Sequence, residues 1–333
     1  MNVEDFIVKN LIVHQIKKEQ QQGAELDLAP EELPADALSH NFIKEVINSY
    51  YHKRSKFFGT FNADKEAFPF QSNLDDFLKT RRPFLDFSRR AAQALYEKAS
   101  GIRQATGGYL VLSFLESEQC PYFIALMLHN VERFRIEEFH LKRSVILDID
   151  KLDLASFIDI AKWRKAVPPY LSFIRGRKVL SNYFREFIGC TEFIESQKTS
   201  EQLQLAVIHY LGRLKLTDEE REKRKNKVFD YCAGQINENN LIFLGQIGPI
   251  LRPEDPDDFH RFANNFYMIS PSFEGHRKVL ENLVVLSYSS RDLTIRFNHA
   301  LLNKTVHYDR EKEELRISEL PESLVQELDL ITK

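Results

Sequence analysis

Cysteine is scarce in this sequence, and the few residues present follow no recognised pattern. Among 333 residues there are three cysteines, Cys120, Cys190 and Cys232, and none belongs to a C-x-x-C pair. An odd number of isolated cysteines argues against a disulfide framework and against a zinc ribbon. We expect reduced, mostly buried thiols in a cytoplasmic protein.

Long apolar runs are also missing. The longest near Cys120 covers residues 122–128, far fewer than the roughly 20 residues that a membrane-spanning helix needs. The N-terminal residues carry Glu4 and Asp5 and lack a small-residue cleavage site, which is unlike a secretory signal. We therefore expect a soluble protein without a membrane partner.

The motifs of several enzyme classes are absent. The sequence has no G-x-x-x-x-G-K-[ST], no G-x-S-x-G, and no two of its ten histidines three to five residues apart. Asp148 and Asp150 form the one arrangement that resembles a Mg²⁺ site of a nuclease, although such a pair more often serves a turn. We predict no catalytic residue, no metal and no cofactor, and a metal-dependent nuclease is the least favoured function.

Aromatic residues are what the chain has in abundance. It contains 26 Phe and 12 Tyr but only one Trp and three Met, and 43% of its residues are hydrophobic. This composition suffices for one large core or two moderate ones. We predict an α+β fold with an N-terminal mixed α/β domain (residues 1–195) and a C-terminal domain (residues 196–333).

Local patterns place the main elements. Residues 109–115 and 122–129 read as two strands of a hairpin, and residues 145–149 read as a further strand. The C-terminal domain is predicted to be helical over 199–280 and rich in antiparallel strands over 281–333. Ser39 is predicted to cap one helix, and Thr217 with Glu220 forms a capping box that starts another.

The segment of residues 168–190 is the most informative part of the chain. It reads as a buried strand, a turn and a helix whose apolar stripe contains Val179, Leu180, Tyr183, Phe184, Phe187 and Ile188. The turn carries Arg175, Gly176, Arg177 and Lys178. Unpaired N–H groups and the positive end of the helix dipole lie there, and glycine allows close approach, so the pattern suits a phosphate oxygen.

Charge is distributed unevenly along the chain. Residues 161–227 hold fifteen Lys or Arg against eight Asp or Glu, a local charge of +7, while the whole chain is −3. The remaining residues therefore carry −10. A basic middle with acidic ends is compatible with binding a polyanion.

Several basic clusters extend this interpretation. Arg185 lies on the helix after the turn, and the densest run comprises Arg221, Lys223, Arg224, Lys225 and Lys227. That run is either a face along phosphates or, as we favour, a solvated helix with Glu219–Lys223 and Glu220–Arg224 pairs. Further clusters are interleaved with aromatics that either stack on bases or belong to the core; their cations are Lys53, Arg54 and Lys56 in the first and Lys79, Arg81, Arg82, Arg89 and Arg90 in the second.

These residues carry a resemblance over nearly the whole chain. The sequence is similar to the NdpA (YejK-like) family of bacterial nucleoid-associated proteins, through residues 145–149, 158–163, 170–178, 183–190, 292–297 and 315–324. The resemblance implies a cytoplasmic protein associated with the DNA of the compacted chromosome, without enzymatic activity. No binding residue is carried over from the family.

Together these observations predict a non-enzymatic protein that binds the DNA backbone largely irrespective of sequence. Its expected partners are double-stranded DNA, other nucleoid proteins, and a second copy in a homodimer, since bridging DNA needs at least two sites. The alternative is an interaction module that reaches the nucleoid through a DNA-bound protein.

Overall fold

The structure is a computed structural model, and it describes residues 6–18, 24–53, 56–100, 107–117, 120–174, 178–192 and 195–332. The strands of the described residues are β1 (Ile7–Lys18), β2 (Ala24–Asp27), β3 (Lys56–Phe61), β4 (Gly108–Glu116), β5 (Tyr122–Leu128), β6 (Asn130–Glu137), β7 (His140–Leu147), β8 (Leu154–Asp159), β9 (Leu171–Ile174), β10 (Cys190–Glu192), β11 (Ile242–Phe243), β12 (Ser272–Phe273), β13 (Val285–Ser289), β14 (Thr294–Asn298), β15 (Val306–Asp309) and β16 (Glu314–Ile317). The α-helices are α1 (Ala37–His52), α2 (Phe70–Leu78), α3 (Phe84–Ser100), α4 (Ile160–Arg164), α5 (Lys178–Ile188), α6 (Ser196–Arg213), α7 (Asp218–Asn237), α8 (Leu244–Leu251), α9 (Pro256–Tyr267), α10 (Arg277–Leu280) and α11 (Glu322–Ile331). The predicted α+β class is confirmed.

The chain divides into two compact units. The first comprises Met1–Ile194 and Asn264–Pro271, and the second comprises Glu195–Ala263 and Ser272–Lys333. The assignment of residues 1–195 and 196–333 to separate domains stays a prediction.

An antiparallel sheet of eight strands forms the first unit, in the order β10-β3-β9-β8-β5-β4-β1-β2. The predicted hairpin is present as β4 and β5, which pair from Tyr109 opposite Leu128 to Leu115 opposite Tyr122. The next pairing places β5 against β8 rather than against the strand that follows it in the chain. Strands β6 and β7 leave the sheet and form a separate two-stranded ribbon.

Both faces of the sheet are covered by helices, which explains the continuous apolar runs of its central strands. Leu110 and Leu112 of β4 join a core with α2, α3 and α5. Val111 and Leu115 of the same strand join a second core, with α1, on the opposite face. Successive residues of a strand point to opposite faces, so a strand covered on both sides must be apolar throughout.

The abundant phenylalanine fills the first of these cores. The ring of Phe70 lies 5.7 Å from that of Phe87, 6.1 Å from that of Phe123 and 5.1 Å from that of Phe187 between centroids. All three contacts are edge-to-face, the geometry that aromatic quadrupoles favour. The aromatic residues of three helices and the sheet thus form one interlocked core.

The second unit begins with helices and continues with short strands, as predicted. Helices α6 to α8 precede two small hairpins, β13 with β14 and β15 with β16, and α11 follows them. Thr217 caps α7 in the predicted capping box, because its side chain accepts from the Glu220 N–H while the Glu220 side chain accepts from the Thr217 N–H. No helix of the described ranges combines the length and apolar character that crossing a membrane requires.

Two local predictions need correction, and several strands were not predicted. Asp36, not Ser39, caps α1, since its Oδ1 accepts from the Ser39 N–H at 2.9 Å and Ser39 lies in the first turn. The strand predicted at residues 145–149 runs over His140–Leu147 instead. The sequence analysis predicted no strand at β3, β6, β8, β10, β11 or β12.

Candidate nucleic-acid interface

The strand, turn and helix predicted around the basic turn are present as β9 and α5. The apolar stripe is buried at Tyr183, Phe184, Phe187 and Ile188, so it anchors α5 to the core of the first unit. The helix ends at Gly189, whose φ of 70° is a conformation that favours glycine. Of the predicted phosphate site, Arg175, Gly176, Arg177 and the side chain of Lys178 lie outside the described residues, although Lys178 begins the helix.

Arg185 is engaged within its own unit. Its Nη1 lies 3.3 Å from Oε1 of Glu192, and both side chains are about one-third exposed. The carboxylate offsets part of the charge that Arg185 would offer to a phosphate.

The basic run on α7 is divided between paired and exposed cations. Arg221 lies 2.9 Å from Asp218, Lys225 pairs with Glu222, and Arg224 donates to the Leu251 carbonyl. Lys223 and Lys227 are exposed. The observed ion pairs join residues three apart, and Arg224 binds a distant carbonyl, whereas the expected pairs Glu219–Lys223 and Glu220–Arg224 join residues four apart. Because these cations have partners within the chain, the solvated-helix interpretation is favoured over a phosphate-binding face.

In the second aromatic-rich cluster, two aromatic residues belong to the core and three cations lie in local ion pairs, whereas Arg54 of the first cluster lies outside the described residues. Phe84 and Phe87 are buried, so they cannot stack on bases. Lys79 pairs with Asp75 at 2.6 Å, and Arg81 and Arg82 both lie within 4 Å of Asp76, at 3.7 and 3.8 Å. The interpretation of this cluster as a nucleic-acid surface is therefore weakened.

Lys56 is a buried structural cation. Its Nζ donates to the carbonyl oxygens of Tyr50, Tyr51 and Lys53 at 3.3, 3.0 and 2.6 Å, at the C-terminal end of α1. Burial lowers the pKa of Lys56 to about 7, and the three carbonyl acceptors oppose this effect by satisfying all three N–H groups of the ammonium. Lys56 closes the helix and is not available to DNA.

The two aspartates of the nuclease hypothesis make different contacts, Asp148 through its carboxylate and Asp150 through its backbone carbonyl. An Asp148 carboxylate oxygen lies 3.8 Å from Arg133, and the Asp150 carbonyl accepts from Nζ of Lys53 at 2.9 Å. Within the described residues, no group of three or more His, Cys, Asp or Glu side chains is arranged to hold a metal ion.

Cys120 lies next to a small cavity of about 100 Å³ lined by Tyr122 and Asp159 among others. Its Sγ donates to Oδ1 of Asp159 at 2.9 Å, and burial together with this carboxylate raises the pKa of the thiol to about 11. The thiol therefore stays protonated at neutral pH and is a poor nucleophile. Cys190 and Cys232 are buried and free, as expected.

The β6–β7 ribbon is the cationic element that the sequence analysis missed. Directly opposed residues of antiparallel strands share a face, so the pairing of Arg135 with Lys142 and of Arg133 with Ser144 puts three cations on one side. We call Arg133, Arg135 and Lys142 the cationic face. Glu137 lies on the same face, 3.0 Å from Arg135 and 3.1 Å from Lys142, and Asp148 is the partner of Arg133, so two carboxylates offset part of the positive charge.

A signal for this ribbon exists in the sequence. The run Arg133, Phe134, Arg135, Ile136 alternates cationic and apolar residues with the period of two that marks a strand. As at Arg185, a phosphate that binds these cations must displace their carboxylate partners. A two-stranded ribbon also has the width that the major groove of B-DNA admits.

Comparison with known proteins agrees with the predicted resemblance. The family described as "Nucleoid-associated protein YejK" matches residues 12–325. The chain belongs to this family. It is 29% identical over 328 residues to a nucleoid-associated protein of Pseudomonas paraeruginosa, with 96% of both chains covered. It is 28% identical over 332 residues to one of Shewanella sp. strain ANA-3, with 97% of both chains covered, and 27% identical to one of Pseudomonas entomophila, with 96% of this chain and 98% of the relative covered.

Full-length coverage means that both units share the family resemblance. The match to the YejK family runs through the sheet of the first unit, the helices of the second and the two C-terminal hairpins. The family assignment is therefore not due to one shared motif.

Proposed function

We propose that this member of the YejK family is a non-enzymatic DNA-binding protein of the cytoplasmic nucleoid. The observation that carries the proposal is the match of residues 12–325 to a family of nucleoid-associated proteins. The protein would bind double-stranded DNA mainly through its phosphates and largely irrespective of base sequence.

Two cationic segments of the first unit are candidates for phosphate contact. One is the turn of Arg175, Gly176, Arg177 and Lys178 that the sequence predicts before α5, whose side chains lie outside the described residues; a glycine turn at a helix N-terminus is a pattern that suits a phosphate. The other is the cationic face of the β6–β7 ribbon. In the second unit, Lys223 and Lys227 are exposed cations, and we propose them as a separate pair of phosphate contacts.

A mobility-shift titration at several salt concentrations tests the turn. Each neutralised phosphate contributes about 0.9 to the magnitude of the slope of log affinity against log salt. If all three cations contact phosphates, Arg175→Ala/Arg177→Ala/Lys178→Ala should therefore lower that magnitude by about 2.7. The matched control is Arg310→Ala/Lys312→Ala/Arg316→Ala. It also removes two arginines and one lysine, but from exposed positions among acidic residues. The control should retain the wild-type slope.

The outcomes separate the site from the function. An unchanged affinity and slope in the turn variant would remove the turn from the interface, and Arg133→Ala/Arg135→Ala/Lys142→Ala would then test the ribbon. Wild-type protein that does not shift DNA even at low salt would overturn direct DNA binding itself. Incubation of plasmid with Mg²⁺ or Mn²⁺ should give no nicking; nicking would contradict the non-enzymatic assignment.

A second candidate function is an interaction module recruited by a DNA-bound protein. The observation that favours it is the exposed apolar stripe of α11, formed by Leu324, Leu328 and Ile331, within a region where residues 254–333 hold fifteen acids and ten bases. Such a surface fits a basic partner protein. This candidate predicts that purified protein does not shift naked DNA but is retained by nucleoid proteins, and that Leu324→Ser/Leu328→Ser abolishes the retention.

A further inference from the structure

The β6–β7 ribbon has a second face, opposite to the cationic one, which is apolar. The pairing of Ile136 with Leu141, Glu132 with Val145 and Asn130 with Leu147 puts these residues on one side together with Phe134. We call Phe134, Ile136, Leu141, Val145 and Leu147 the apolar face. It occupies most of the length of two strands of eight residues each.

This face is uncovered in the single chain. Phe134 is 68% exposed, Ile136 77%, Leu141 70% and Val145 61%. An isolated two-stranded ribbon is at best marginally stable in water, and it normally gains stability by packing an apolar face. A contiguous apolar patch of this kind marks an interaction surface.

Charge on the apolar face indicates which partner fits. Glu132 and Arg143 are the charged residues of that face, and they lie 3.3 Å apart, so its net charge is zero. DNA would find no net attraction there, because the cations that suit it lie on the other side. In a twofold arrangement Glu132 of each copy can meet Arg143 of the other, which makes the face complementary to itself.

The area is consistent with a second copy as the occupant. The five apolar side chains offer on the order of 600 Å² of accessible surface per copy, against about 800 Å² per partner in a standard interface. Phe139, at the tip between the strands, is fully exposed and supplies further apolar area. The sum reaches the range of a specific dimer of moderate affinity.

We propose that the apolar face of the β6–β7 ribbon is the contact between two copies of this chain, packed face to face about a twofold axis. Stacked sheets pack about 10 Å apart, so the two ribbons form a small sandwich. The cationic faces of both copies then lie on the outside of that sandwich. The inference concerns assembly and does not depend on DNA binding.

Sedimentation analysis of the full chain between about 1 and 50 µM tests the proposal. The wild-type chain should be dimeric, and Phe134→Ser/Leu141→Ser should raise the dimer dissociation constant by about 100-fold or more, because it removes two central apolar contacts. Arg135→Ser/Lys142→Ser, on the cationic face of the same strands, is the matched control and should remain dimeric. Thermal unfolding of the control should match the wild type, whereas Phe134→Ser/Leu141→Ser should lose only the part of the melting temperature that depends on protein concentration, because dimerisation stabilises the folded chain by mass action.

A charge exchange tests the twofold arrangement without removing any apolar residue. Glu132→Arg and Arg143→Glu should each weaken self-association, and an equimolar mixture of the two variants should form heterodimers. A monomeric wild-type chain at 50 µM, about the highest concentration used, would overturn the proposal. If Phe134→Ser/Leu141→Ser dimerises as strongly as the wild type, the interface lies elsewhere. If the mixture of Glu132→Arg and Arg143→Glu forms no heterodimer, the twofold pairing is excluded.

Discussion

His14 shows how a buried polar side chain of β1 is matched to its surroundings. Its Nδ1 accepts from the Ala29 N–H at 3.0 Å, so Nε2 carries the proton and lies 3.0 Å from Oγ of Ser88, which in turn donates to the Leu85 carbonyl. The ring links β1, α3 and the segment after β2 while remaining neutral. Burial, assisted by the charge of Arg89, lowers the pKa of His14 to about 4.

The depressed pKa of His14 predicts loss of stability in acid. Between the usual pKa of 6.5 and about 4 the unfolded chain binds a proton that the folded chain does not, so the free energy of unfolding falls as the pH falls. The full effect is on the order of 3 kcal/mol near pH 4. Chemical denaturation of the wild type at several pH values should show that the free energy of unfolding falls as the pH falls. In His14→Asn, whose amide oxygen keeps an acceptor for the Ala29 N–H, the contribution of His14 to this pH dependence should be absent. An equal slope in both proteins would mean that other groups cause the acid sensitivity.

Gly189 is a position where the backbone itself requires glycine. Its φ is 70°, and a Cβ there would lie 2.6 Å from Cβ of Phe68. Gly189→Ala should therefore lower the free energy of unfolding by about 2 kcal/mol or more, from left-handed strain and from the clash.

The matched control for that substitution is Gly234→Ala in the interior of α7, where an added Cβ meets nothing within 4 Å. Alanine should stabilise this exposed helical position by up to about 1 kcal/mol. Urea unfolding of both variants measures the contrast. Equal effects of the same sign would show that the conformation of Gly189 is not the reason for its presence.

Among the helices, α7 begins with a capping box whose contribution to the free energy of unfolding can be measured. Thr217→Ala removes the acceptor of the Glu220 N–H at 3.2 Å and should cost about 1 kcal/mol, whereas Thr217→Asp should keep most of the stability. The Thr217 N–H and hydroxyl both donate to the Glu220 carboxylate, and these two hydrogen bonds lower the pKa of Glu220. Unfolding of the second unit followed by helical circular dichroism distinguishes the two variants, and equal stability of Thr217→Ala and wild type would show that the cap is dispensable.

Elements with strong local signals were predictable from sequence, and those set by neighbours were not. The hairpin of β4 and β5, α5 with its stop at Gly189, and the cap of α7 follow from residues close in the chain. Strand β8 is buried at all six positions, so it has no alternation and cannot be told from a buried helix by pattern alone. Strand β3 begins with Lys56, whose burial depends on carbonyl groups of α1.

The candidate site was predictable in part for the same reason. Density of cations marks Arg185 and the run on α7, but it does not reveal which carboxylates come close to them. Glu192 reaches Arg185 because β10 follows α5 after a single glycine, and the Leu251 carbonyl reaches Arg224 from 27 residues further along the chain. Only the three-dimensional fold shows how much of the local charge is compensated.

For the whole molecule, uneven charge rather than total charge governs the proposed binding. The net charge of −3 repels DNA weakly at long range, while residues 161–227 carry +7. Attraction therefore requires close approach of the basic regions, and salt should weaken binding steeply. Many of these cations have intramolecular carboxylate partners that phosphates must displace, as at Arg185 and Arg221, which limits the affinity.

Binding through phosphates predicts little discrimination between DNA sequences. Phosphate contacts position a protein on the duplex without reading the bases, so equal-length A·T-rich and G·C-rich duplexes should bind with affinities within about threefold of each other. Competition experiments at two salt concentrations between about 50 and 200 mM measure this, and the ratio should stay constant while both affinities fall. A preference above about tenfold for one duplex, growing as salt screens the backbone contacts, would instead indicate base contacts or readout of groove shape. In that case the cationic face of the β6–β7 ribbon, which has the width of the major groove, would be the element to vary first.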